Sequence, residues 1–139
     1  MTKEMVATLE QLPKLAKELV SILPQDAVIF LRGNLAAGKT TLVKALADAK
    51  GNSQTVTSPT FSIQQIYGDS IYHYDLYQCP NEKFMQIGLL DELENSGWHL
   101  IEWGDDELYE LLKSLGFEVA IIEITPIDNA RQYRIITDA

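Results

Sequence analysis

The stretch Val28–Gly51, "VIFLRGNLAAGKTTLVKALADAKG", decides the fold. Its opening, together with Ala27, reads as the strand "AVIFL". That strand is apolar on both faces, as a central strand of a parallel sheet must be. Its end, "TTLVKALADAK", places Leu42, Val43, Ala45, Leu46 and Ala49 on helical spacing, and Gly51 is a natural C-terminal stop. Between the two, Gly33 to Thr40 follows the pattern of Gly, four residues, Gly-Lys and then Ser or Thr. Strand, glycine loop and helix in this order make a P-loop, the cradle for the phosphate tail of a nucleotide.

The chemistry accounts for the spacing. A loop that wraps an oxyanion presents several backbone N–H groups inward, and small residues let the backbone approach closely. The helix adds its free N-terminal donors and the positive end of its dipole. Gly33, Asn34, Leu35, Ala36, Ala37 and Gly38 would form the cradle, with Thr41 at the start of the helix. Lys39 would bring a mobile charge to the outer phosphates, and Thr40 a hydroxyl to Mg²⁺, which prefers oxygen ligands. Ala36 stands where many P-loops carry a further glycine. If that position needs positive φ, the alanine costs about 1 kcal/mol, which phosphate binding would offset.

With 139 residues, 46% of them apolar, the chain is long enough for one domain with a real core and too short for two, so 1–139 reads as a single P-loop ATPase domain. No segment has the length or composition of a membrane span, and "MTKEMVATLE" lacks the basic-then-apolar run of a signal peptide, so a cytoplasmic protein is expected. The lone cysteine, Cys79, allows no internal disulfide and reads as structural. The formal net charge of −9 argues against direct binding of nucleic acid, which rests on neutralising phosphates with Lys and Arg. The three arginines are Arg32, Arg131 and Arg134, and none lies between the first two.

Along the chain, "TLEQLPKLAKELVSIL" reads as an amphipathic helix with Leu12, Leu15, Ala16 and Leu19 on one stripe. Thr8 and Gln11 would form a capping box, or Pro13 would occupy the first turn. "AVIFL" is then the first strand. Alternation from Phe61 to Tyr67 and from Ile71 to Asp75 predicts two strands around the turn "GDS". "PNEKFMQIGLLDELENSG" reads as a helix or helical loop, "WHLIEW" as a strand and "DDELYELLKSLG" as a helix with Leu108, Leu111, Leu112 and Leu115 inward. "FEVAIIEITP" and "RQYRIIT" read as terminal strands joined by a hairpin at "IDNA", with Arg131 and Arg134 on an edge strand. The class is therefore α/β: a P-loop NTPase-like sheet with a parallel core, antiparallel edge strands and flanking helices.

Hydrolysis also needs a carboxylate near the metal and a group that orients water, and in open α/β sheets these lie at the carboxyl ends of strands. Asp75 ends "IYHYD" and Glu102 nearly ends "HLIEW", so one of the two is expected to hold the metal or a water. The segment "VTSPTFSI" follows the P-loop helix, where a loop can sense the outer phosphate through Thr57 or Thr60.

"GNLAAGKTT", "VTSPTFSI", "YHYDLYQ" and "LIEWGD", in this order and spacing, resemble the bacterial TsaE (YjeE) family, small P-loop ATPases of tRNA threonylcarbamoyladenosine biosynthesis. The resemblance runs from the first helix to the terminal strands. It implies ATP and Mg²⁺ as cofactors, with Lys39 on the phosphates and Thr40 on the metal. It implies Thr60 in a nucleotide-sensing loop, Asp75 coordinating metal or activating water, Glu102 as a metal-site carboxylate and Trp103 beside the nucleotide. It also implies two partners, TsaD and TsaB, with tRNA reached through them. Two positions depart from the family pattern: Ala36 replaces a loop glycine, and Gln78 replaces the arginine after Asp-Leu-Tyr. The competing readings are a P-loop small-molecule kinase, for which the arginine-free stretch offers no lid, and a nucleotide-gated interaction module without hydrolysis.

Overall fold

A computed structural model describes residues 1–34, 38–51, 55–57, 64–68, 70–77, 80–86 and 88–137, with the backbone alone at 55–57 and 81. The described strands are β1 (Thr2–Ala7), β2 (Ala27–Arg32), β3 (Thr55–Thr57), β4 (Gln64–Tyr67), β5 (Ile71–Asp75), β6 (Trp98–Glu102), β7 (Val119–Ile127) and β8 (Ala130–Ile136). The helices are α1 (Leu12–Ile22), α2 (Lys39–Ala49), α3 (Asn81–Gln86), α4 (Leu89–Glu92) and α5 (Asp106–Ser114).

All eight strands join one sheet in the order β1-β8-β7-β2-β6-β5-β4-β3. The core β7-β2-β6-β5 is parallel, while β8 and β4 run antiparallel to it. Alternation along the core strands feeds two apolar layers. Ile29 and Leu31 of β2, Trp98 and Leu100 of β6, and Ala120, Ile122 and Ile124 of β7 pack with α1 and α2. Val28, Phe30, Ile101, Val119 and Ile121 pack with Phe84, Leu89, Leu108 and Leu112 on the other face. Both faces are covered, which is why "AVIFL" carries no polar residue.

Local signals act where the sequence places them. Thr8 and Gln11 form the reciprocal box: the Thr8 N–H donates to Gln11 Oε1 at 3.0 Å, and the Gln11 N–H to Thr8 Oγ1 at 3.3 Å. Pro13 also sits in the first turn of α1. Asp105 caps α5 by accepting from the Leu108 N–H at 2.8 Å. The β7–β8 hairpin turns at Asp128–Asn129, with Asn129 at φ 59.

The structure corrects or refines four expectations. "TKEMVA" is a strand, because its backbone pairs along β8 from Thr2↔Ile136 to Ala7↔Arg131; half-exposed alternation so near the terminus gives a weak strand signal. For the same reason β8, with Arg131 and Arg134, is not an edge: it lies between β7 and β1. The region after Pro80 is two short helices, broken at Gly88 with φ 83. Leu115 is 52% exposed, since it caps α5 beyond the last turn that faces the sheet, and Leu111 is only half-buried.

Candidate phosphate site at the carboxyl ends of the core strands

β2 runs through Arg32 into Gly33 and Asn34, and α2 begins at Lys39 after Gly38. Gly38 has φ 99 and ψ 26, a left-handed conformation that glycine adopts without penalty. Its carbonyl starts the helix by accepting from the Leu42 N–H at 3.0 Å. Leu35, Ala36 and Ala37 lie outside the described residues, as do Thr60, Gln78 and Cys79.

Lys39 is the centre of the site. It is buried, although it is a lysine at a helix start. Its Nζ donates to the Gly33 carbonyl at 2.8 Å and lies 3.5 Å from the centroid of the Trp103 ring. The ammonium therefore reaches back across the mouth of the loop and rests on an aromatic face. Burial lowers its pKa, and the negative charges of Glu102 and Asp75 oppose that shift. Both carboxylates thus act on the P-loop lysine.

Their common position follows from strand register. β5 and β6 are parallel with Asp75 opposite Glu102, so the two acids are neighbours at the carboxyl ends of adjacent strands. Alternation puts them on the face of Ile71, Trp98 and Leu100, which packs with α2. Asp75 is exposed and accepts from the Tyr77 N–H at 3.0 Å, an Asx turn that fixes its rotamer. Glu102 is buried and accepts from His73 Nε2, itself buried. Thr40 is exposed in the first turn of α2, with Thr41 half-buried behind it.

Trp103 follows Glu102 at φ 65, a conformation a bulky residue adopts only under constraint. Two neighbours show what constrains it. Gly104 presses on Phe30, where a Cβ would meet the ring at 2.5 Å, and the Trp103 ring lies 5.2 Å from that of Tyr77. The indole is left 37% exposed above Lys39.

The donor set suits magnesium: a hydroxyl on Thr40 and carboxylates on Asp75 and Glu102, all oxygen. No group of three or more His, Cys, Asp or Glu able to hold a metal occurs among the described residues. A magnesium ion bound through one or two carboxylates, waters and phosphates needs none. Arg32 is engaged elsewhere, pairing with Asp106 at 2.7 Å at the start of α5.

Three residues here escape the sequence reading. His73 shares a strand face with Asp75 by two-residue alternation, a signal the pattern His-x-Asp does contain. Tyr77 and Arg131, whose guanidinium lies against Gly38, carry no such signal. Their places depend on a turn and on a hairpin.

A solved structure shares this fold. The crystal structure of YdiB from Bacillus subtilis superposes with a TM-score of 0.68 at 27% identity, covering 100% of this chain and 88% of that one. The tRNA threonylcarbamoyladenosine biosynthesis protein TsaE of Treponema pallidum is 39% identical over 93 residues, covering 65% of this chain and 69% of that protein. The protein of the same name in Bacillus subtilis is 30% identical, covering 86% of this chain and 82% of its own length. That of Aquifex aeolicus is 35% identical, covering 88% and 86%. Residues 6–134 match the model of the family described as threonylcarbamoyl adenosine biosynthesis protein TsaE. The chain belongs to the TsaE family, whose members are named for the biosynthesis of threonylcarbamoyladenosine in tRNA.

Proposed function

We propose that residues 1–139 form one P-loop domain that binds ATP with Mg²⁺ and hydrolyses it in support of tRNA threonylcarbamoyladenosine synthesis, together with TsaD and TsaB. One observation carries this reading: the P-loop lysine lies under the combined charge of two carboxylates at the carboxyl ends of adjacent parallel strands. A phosphate loop alone would need neither acid. A hydrolytic site needs at least one.

Gly33, Asn34, Leu35, Ala36, Ala37, Gly38, Thr40 and Thr41 hold the phosphate tail by backbone donors and the start of α2. Lys39 leaves the Gly33 carbonyl and the indole to meet the outer phosphate, where charge develops in the transition state. Asp75, exposed and oriented, is placed to hold a water or its proton. Glu102, fixed by His73, and Thr40 supply oxygen to the metal site. Magnesium, when bound, supplies positive charge shared between the phosphates. Thr60 senses the outer phosphate, and Trp103 covers the site. The protein works in the cytoplasm. Its acidity assigns the RNA to its partners, and a basic partner surface would complement it.

Titration calorimetry with ATP and Mg²⁺ tests the site. The parental chain binds. A folded Lys39→Ala variant loses ATP binding and ATP-dependent function. Parental affinity in that variant would place the nucleotide elsewhere.

A further inference from the structure

Arg131 lies far from the P-loop in sequence and beside it in space. β8 brings it opposite Ala7 of β1 and Pro126 of β7. Its side chain crosses to the start of α2: a Cβ built on Gly38 would lie 2.7 Å from both Cζ and Nη1 of the guanidinium and 2.9 Å from Nε. Gly38 is required for its φ of 99, and its missing side chain leaves the space that the guanidinium fills. The Arg131 charge also acts on Tyr133, a buried neighbour two residues along β8, and opposes the rise that burial gives the Tyr133 pKa. In a chain of net charge −9, this guanidinium stands against Gly38, at the end of a loop pattern that binds anions, without an acidic partner among the described residues.

A cavity of about 410 Å³ opens beside it, lined by Ala7, Leu9, Thr41, Ile127, Asn129 and Arg131 among others. Leu9 and Ile127 stand on it 69% and 45% exposed, two large apolar side chains with free faces. Thr41 places the cavity one residue past the proposed metal-binding hydroxyl. It lies on the β8 side of α2, whereas Asp75 and Glu102 belong to β5 and β6, across β7 and β2 from β8.

We propose that Arg131 is a phosphate-binding residue supplied in cis, gripping the nucleoside-proximal part of the nucleotide's phosphate chain while the adjoining cavity receives the nucleoside. The planar guanidinium suits this task, because it presents parallel donors to phosphate oxygens. This inference rests on the P-loop reading above and adds the residue that divides the two ends of the ligand. Lys39 and the acids take the outer phosphate. Arg131 takes the inner one.

The test is titration calorimetry of the full chain with Mg²⁺ and either ADP or inorganic pyrophosphate. Arg131→Gln is expected to weaken ADP and pyrophosphate alike, by about tenfold to a hundredfold, the usual range for a charge-assisted contact. Arg131→Lys keeps the charge, loses the fork and falls between. Loss for ADP with unchanged pyrophosphate would overturn the phosphate role. So would parental ADP affinity in Arg131→Gln while Lys39→Ala fails to bind. If Arg131→Gln does not fold, parental affinity in Arg131→Lys reads as a packing role and also overturns the proposal. Parental binding in both Lys39→Ala and Arg131→Gln would instead remove the P-loop reading itself.

Discussion

At Lys39 two effects oppose each other. Desolvation favours the neutral amine, and the charges of Glu102 and Asp75 favour the ammonium. The cation is engaged by the Gly33 carbonyl and the indole of Trp103, and a phosphate must win it from both. The acids differ in what they can do: Asp75 is exposed and free to hold water, while Glu102 is buried and held by His73. Asp75→Ala and Glu102→Ala should therefore cost turnover more than affinity. We expect at least about tenfold in ATP hydrolysis with nucleotide binding within about threefold, because a metal or water ligand acts mainly on the transition state. Parental hydrolysis in both variants, measured with partners present, would refute the carboxylate assignment. Trp103 reports on the same event. Displacing Lys39 from the indole should change tryptophan emission when nucleotide is added, and Trp103→Phe should remove the change. Trp98 is buried at the other end of β6, with its Nε1 donating to Pro24, so a response that survives Trp103→Phe would have another source.

The paired strands β5 and β6 do more than carry the acids. Behind them a polar chain runs through the second apolar layer: Gln64 donates to Glu92 at 3.1 Å and to Tyr74 at 3.2 Å, and Tyr74 donates to His99 Nδ1 at 2.8 Å. His99 Nε2 in turn donates to the Asn95 carbonyl at 2.8 Å, which places a proton on Nε2. Burial lowers the His99 pKa below its ordinary 6.5, against opposing effects of the Asn95 carbonyl and the charges of Glu92 and Asp26. A depressed folded pKa means that the unfolded chain takes up the proton first. Stability is thus full above pH 6.5 and declines as pH falls from there towards the lowered folded value. Thermal melting should show a fall below pH 6.5 that His99→Asn flattens; an equal slope in that variant would assign the titration to other groups. None of this chain is legible in the sequence, because Gln64, Tyr74, Glu92 and His99 meet only through strand register and the placement of α4. The P-loop strand and helix were legible, since an apolar run, a glycine pattern and a 3.6-residue stripe are local. Asp75 and Glu102 were legible as strand ends, but their mutual register was not. β1 was missed because its pairing with β8 is decided at the far end of the chain. That same pairing moved Arg131 from a supposed edge to the P-loop.

On the scale of the whole molecule, the sheet separates two kinds of positive charge. Arg131 stands with β8 on one side of α2, and Arg32 is engaged with Asp106. On the side of β5 and β6, Lys39 is the cation among the described residues that both acids act on. The outer phosphate is where charge develops during hydrolysis, and an arginine supplied there by a partner raises the rate about 10³–10⁵-fold in well-known P-loop enzymes. The position of Gln78, after Asp-Leu-Tyr, offers an amide in place of that charge. The account therefore predicts a chain that binds ATP with Mg²⁺ but turns it over slowly until a partner completes the site. The measurement that tests it most directly is steady-state ATP hydrolysis by the purified chain, alone and with TsaD and TsaB added. The predicted result is slow turnover alone and clear acceleration by the partners, lost in Lys39→Ala. Fast turnover by the chain alone, unchanged by the partners, would contradict it.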